Sequence, residues 1–184
     1  MGVIIPESDM EFGEYKEKQV FRIEKSKQYT EKLRQQGVRC CEFILLRKNK
    51  LYFVEAKQSY PNPINICFSE ERKKQYHKDV QEIVEKMRHS LELYASILLN
   101  KHSQEGIFDA MKNMKELELK LVLVIKNADI FWIPPLQDVL RKALRAELRI
   151  WKIQDFIILN EEMARKKRCL LYTSDAADDL IGVD

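Results

Sequence analysis

The chain has 184 residues, a length that suits one domain, with 32 Lys and Arg against 29 Asp and Glu and a formal net charge of +3. Its 45% hydrophobic content supports a core, so 33% charged residues do not amount to disorder, and five Gly and five Pro exclude collagen-like or low-complexity chains. Four Cys make no disulfide framework, runs such as Leu121–Ile125 are too short to span a bilayer, and no secretory signal is visible, so a cytoplasmic protein without a membrane partner is expected.

Along the chain, Val20–Ile23 reads as a short edge strand. Ser26 is placed to cap a helix over Lys27–Gln36, which Gly37 ends. Arg39–Arg47 and Leu51–Lys57 are β-rich runs joined by Lys48-Asn49-Lys50, a connection short enough for an antiparallel hairpin. Tyr60-Pro-Asn-Pro63 stops the second run. Ser69 before Glu70 and Glu71 starts a helix with acids in its first turn. Val80, Val84, Met87, Leu91, Tyr94, Ala95 and Leu98 then recur at helical spacing, which makes this the longest helix, reaching about Asn100. Gly106 opens a second helical stretch to about Glu116. Leu119–Ile125 is a buried strand. Pro134-Pro135 suits the first turn of a helix running to about Arg149, and Ile150–Leu159 follows as another strand. Asn160-Glu-Glu162 and Lys166-Lys-Arg168 place acids and bases at the two ends of a last helix. This order describes a three-layer α/β domain with a mixed sheet.

The last sixteen residues, Cys169–Asp184, contain no Lys or Arg, although Arg165-Lys-Lys-Arg168 precedes them. Cys169-Leu-Leu-Tyr-Thr-Ser-Asp-Ala-Ala-Asp-Asp179 resembles the conceptual translation of a sequencing adapter. Residues 169–184 are therefore set apart as a non-native tail, and the single domain is read over residues 1–168, with its native chain free to continue past Arg168. Without the four tail aspartates the domain keeps 32 basic against 25 acidic residues (29 less four), a net charge of +7. That surplus is compatible with a polyanionic partner.

The chemistry-bearing segment is Cys41–Ser59. In a strand, alternate side chains share a face, so Glu55 and Lys57 point the same way at the end of the second hairpin strand. A turn at Lys48–Lys50 places Glu42 roughly opposite them. Two carboxylates and one ammonium then converge at one end of the hairpin. Mg²⁺ takes hard oxygen ligands and keeps several waters, so two carboxylates and a substrate phosphate suffice for it. The set suits metal-assisted phosphodiester hydrolysis, with a lysine near the phosphorus to offset developing charge.

Phe53-Val-Glu-Ala-Lys-Gln-Ser59 resembles the third-strand motif of the PD-(D/E)xK nuclease superfamily. The resemblance implies a restriction-endonuclease-like fold with an α-β-β-β-α-β core, a central mixed sheet flanked by helices. It also implies Glu42 and Glu55 as ligands of Mg²⁺ or Mn²⁺, Lys57 as the catalytic lysine and Gln58 as a supporting residue. The substrate implied is nucleic acid, mostly DNA. Glu42 stands where the family usually has Asp, which moves its oxygens by about one methylene. Such nucleases often carry a Glu ahead of the core strands; Glu24 and Glu31 both qualify, with Glu24 favoured. Some members place Gln-x-x-x-Tyr on the following helix, where this chain has Ser90-x-x-x-Tyr94, two positions that share a helix face.

Other chemistries find little support. Cys40, Cys41 and Cys67 lack zinc-finger spacing, and His77, His89 and His102 form no ligand pair with them. No Gly-rich phosphate loop is present. At least one of Cys40 and Cys41 is read as a buried small hydrophobe, and Trp132 and Trp151 as packing residues. Arg141, Arg145 and Arg149 recur every four residues, one helix face that could follow phosphates. Two further readings stay open beside a nuclease. One is a catalytically inactive nuclease-fold binding module in a larger bacterial or phage-defence assembly, with protein partners or a homodimer. The other is an α/β interaction domain without a nucleic-acid role.

Overall fold

The computed structural model describes residues 2–63 and 69–168. The chain opens with a hairpin of Gly2–Glu7 (β1) against Met10–Lys16 (β2). Ser8 and Asp9 turn it at φ of 53° and 56°, the left-handed pair that suits a two-residue hairpin loop. The sequence reading assigns nothing here. The usable signal was the inward alternation of Met10 and Phe12 beside Ile5, all three buried.

Val20–Phe21 (β3), Phe43–Arg47 (β4), Lys50–Lys57 (β5), Glu118–Ile125 (β6) and Phe156–Asn160 (β7) make one five-stranded sheet in the order β3-β4-β5-β6-β7. β3, β4 and β5 pair antiparallel, whereas β5, β6 and β7 pair parallel. The sheet is thus mixed, as expected, and the expected hairpin turns at Lys48-Asn49, with Lys50 already paired to Arg47 at the start of β5. The helices are Glu70–Leu98 (α1), Asp109–Lys112 (α2), Ile133–Ala143 (α3), Arg145–Ile150 (α4) and Glu161–Lys166 (α5). Ser69 caps α1 by accepting the Arg72 N–H at 3.1 Å, and Asn160 caps α5 by accepting the Met163 N–H at 2.9 Å.

Several boundaries differ from the sequence reading. The strand expected over Ile150–Leu159 begins only at Phe156, because the chain stays helical to Ile150. The stretch from Gly106 to Glu116 holds only the single turn of α2. The helix before β4 is a wide turn over Tyr29–Leu33 followed by a tight one over Arg34–Gln36. Ser26 does not cap it: its hydroxyl donates to the Ile23 carbonyl at 2.7 Å. Gly37 does end it, at a φ of 81° that favours glycine.

The strands alternate between two cores. Leu51 and Phe53 of β5 join Leu121 and Leu123 of β6 against Ile83, Met87 and Leu91 of α1 and Leu136 and Leu140 of α3. Val54, Ala56, Val122 and Val124 face the other way, against Phe12 and Tyr15 of the hairpin and Ala164 of α5. Helices thus cover one face, as expected. On the other, the N-terminal hairpin shares the cover with α5. The interior strand β6, between β5 and β7, has buried residues on both faces from Leu119 to Ile125, as a parallel strand between two layers must. Among the described residues no helix is long and apolar enough to cross a membrane. Cys67 and the 169–184 tail lie outside the described residues.

Candidate functional site

The parallel strands β5 and β6 end together at Lys57 and Ile125, and antiparallel β4 begins at that same end. Open α/β sheets commonly build their sites outside such carboxyl ends. Glu42 stands one residue before β4, where its N–H donates to the Val54 carbonyl at 3.0 Å. Alternation turns Glu55 toward α1, the side already taken by Leu51 and Phe53, so its carboxylate enters a core and is fully buried.

The opposite wall comes from α1. Glu82, Lys86 and Ser90 recur every four residues, which puts them on one helix face. Lys86 Nζ donates to Glu55 Oε1 at 2.7 Å and lies 3.5 Å from Glu42 Oε1. Glu82 accepts from Lys57 Nζ at 2.6 Å, and that ammonium is 3.6 Å from Glu55 Oε1. Ser90 accepts the Cys41 N–H at 2.8 Å and donates to the Lys86 carbonyl at 2.6 Å, which fixes the backbone immediately before Glu42. Glu24, in the tight turn Ile23–Lys25, is near enough to Glu42 to raise its carboxyl. Glu55 Oε2 is buried without a hydrogen-bond partner.

Burial governs the electrostatics. It pushes Glu42 up to about 9, helped by Glu24 and the nearby Glu55 charge and opposed by Lys86. Burial likewise pushes Glu55 up to about 7, against the pull of Lys86 and then Lys57. Desolvation works against the Lys86 ammonium, yet Glu55, then Glu42 and Glu24, hold it charged and well above the usual lysine range. The Lys57 hydrogen bond holds Glu82 below the usual carboxylate range.

Glu42 supplies a direct test. Its value rises from 4.5 unfolded to about 9 folded, so between those values the folded chain binds the extra proton. Its stabilising contribution is complete below 4.5 and is lost as pH rises toward 9. In EDTA, the melting temperature should fall from about pH 5 to pH 9, and Glu42→Gln should flatten that fall. Parallel profiles for the two proteins would remove Glu42 from the account.

The structure therefore brings Glu24, Glu42, Glu55, Lys57 and Ser90 together. Glu31, the other upstream acid considered, is exposed. Gln58 donates to Asp9 of the hairpin turn at 2.6 Å. Tyr94 belongs to the core: its ring meets Phe53 edge-on at 5.6 Å and its hydroxyl donates to the Met111 carbonyl at 2.5 Å. Tyr94→Phe should lower stability by about 1–3 kcal/mol by stranding a buried carbonyl, and should leave any cleavage rate unchanged; a slowed rate in the folded variant would return Tyr94 to the site.

The basic face of Arg141, Arg145 and Arg149 is not continuous. The helix is interrupted at Leu144, leaving Arg141 on α3 and the others on α4, and Arg141 Nε is paired with Asp155 at 2.9 Å. Cys40 and Cys41 are both buried and free, Trp132 is buried, and Trp151 packs against the larger core. Among the described residues, no three His, Cys, Asp or Glu side chains are disposed to hold one metal ion.

Lys86 and Glu82 are the residues that sequence reasoning missed. The signal was their four-residue spacing with Ser90, which continues one helix face toward the N-terminus. No family model, curated protein or solved structure matches the chain.

Proposed function

We propose that this chain is a metal-dependent nuclease of restriction-endonuclease-like build that hydrolyses nucleic-acid phosphodiester bonds, with DNA the first substrate to test. The observation that carries this reading is the meeting of Glu42, Glu55 and Lys57 at the carboxyl end of β5. The topology supports it in part: β4 and β5 are antiparallel, and α1 crosses over to parallel β6. One departure is that the strand beside β4, β3, precedes the helical turns over Tyr29–Gln36 instead of following them.

The residues fit a hard divalent cation. Glu42 and Glu55 offer carboxylate oxygens within reach of a single cation, as their shared contact with Lys86 attests. The unpartnered Glu55 Oε2 is a further acceptor. Mg²⁺ is commonly held by one or two carboxylates, with waters and substrate phosphate completing its shell. When bound, such an ion polarises a phosphoryl oxygen and acidifies a coordinated water. Glu55 and Glu42 are the holding residues, with Glu24 beside Glu42. Lys57 is partly exposed, so its ammonium can meet an incoming phosphate, and Glu82 fixes its direction.

The test is a cleavage assay with linear and supercoiled DNA and single-stranded RNA, in Mg²⁺ or Mn²⁺ and in EDTA. Products that vanish in EDTA are expected; no products under any condition would overturn the hydrolytic reading. A second reading, the inactive binding module, is favoured by one observation: the Lys86 ammonium lies between the two carboxylates. Salt-sensitive DNA binding without cleavage would select it.

A further inference from the structure

The geometry points to Lys86 as a built-in cation that competes with a divalent metal ion for Glu55 and Glu42, so that the ion enters only when the ammonium leaves. This inference rests on the reading of those two carboxylates as metal ligands, and does not require hydrolysis.

Three observations carry it. The Lys86 nitrogen stands 2.7 Å from Glu55 Oε1 and 3.5 Å from Glu42 Oε1, the place between the acids that a shared ion needs. The Glu55 side chain is wholly buried, and its second oxygen is unpartnered, so one ammonium leaves part of its ligand capacity unused. Finally, the Lys86 side chain is not sealed in, being 14% exposed, and Glu82 lies one turn back on the same face.

Ammonium and metal ion cannot share this place, because like charges a few ångströms apart in a poorly solvated site repel strongly. Lysine can resolve the conflict by movement, since its charge sits on a flexible four-carbon stem. The acid on the next turn and a nucleic-acid phosphate at the opening would both draw the displaced ammonium outward. A phosphate would also add oxygen ligands to the ion. Metal and substrate would then bind cooperatively, and the metal-free protein would keep its buried acids compensated.

The experiment is Mn²⁺ titration by calorimetry of the full chain without nucleic acid, wild type beside Lys86→Met. The variant is expected to bind Mn²⁺ at least about tenfold more tightly, because a competing unit charge has gone. Equal or weaker binding by the folded variant would overturn the inference. Should Lys86→Met not fold, the wild type decides. Reductive methylation read by peptide mass spectrometry should label Lys86 several-fold faster with Mg²⁺ present, relative to exposed Lys32; an unchanged rate would overturn the inference. The two readings also fail separately. Tighter Mn²⁺ binding by the variant of a chain that cleaves nothing keeps the competition and removes the nuclease. Metal-dependent cleavage with equal Mn²⁺ affinity does the reverse.

Discussion

Glu55→Ala is expected to lower metal-dependent cleavage by at least about 10³-fold, and Lys57→Ala by about 10²–10³-fold, the usual effect of removing one charge-stabilising group from a reaction centre. The two differ because their surroundings differ. Glu55 is wholly buried, with one oxygen on Lys86 and the other unpartnered, so no neighbouring group can take over its place. Lys57 is partly exposed and held by Glu82 at 2.6 Å; on the proposed reading its loss removes a cation open to an incoming phosphate and leaves Glu42 and Glu55 in position. Glu55→Gln separates charge from packing, since it keeps the volume. It should be as inactive as Glu55→Ala and closer to wild type in melting temperature. Cleavage that survives Glu55→Gln and Lys57→Ala alike would end the catalytic assignment of this end of the sheet.

The largest loss of stability among the site variants is expected for Lys86→Ala, about 3–5 kcal/mol above neutral pH, where it strands a buried carboxylate. Lys86 bonds a Glu55 side chain that is fully buried, so the carboxylate stays poorly solvated once the ammonium is gone. The escape is protonation of Glu55, which sits up at about 7 even with Lys86 pulling it down; the loss should therefore shrink as pH falls toward that value. Denaturant unfolding at two pH values measures this. A loss under about 1 kcal/mol above neutral pH would mark the pair as an ordinary surface ion pair. Addition of Mn²⁺ should restore part of the lost stability, since a ligand that binds only the folded chain stabilises it. The same charge is thus asked to do two things: it keeps the metal-free fold intact, and it holds the place a metal ion needs.

The sequence by itself determined what depends on local rules. Alternation put Glu55 and Lys57 on one face of β5, and the short Lys48–Lys50 connection made β4 and β5 antiparallel, bringing Glu42 alongside. Ser69 with two following acids fixed the start of α1, and Asn160 that of α5, because caps answer to backbone hydrogen-bonding needs within a single turn. The N-terminal hairpin was written less plainly, since Ser8-Asp9 is a less usual turn pair than one containing glycine. The partner of each buried charge was set by long-range packing. The face of α1 that meets the sheet follows from how the whole helix packs, with Ile83, Met87 and Leu91 in the larger core. That packing brings Lys86 to Glu55 from 31 residues away in the chain and sends Tyr94 to Met111 instead. Periodicity can name a helix face but not what lies across from it. An ion pair inside a core depends on which face arrives where, so Lys86, the cation that pairs with both Glu55 and Glu42, became visible only when the layers closed.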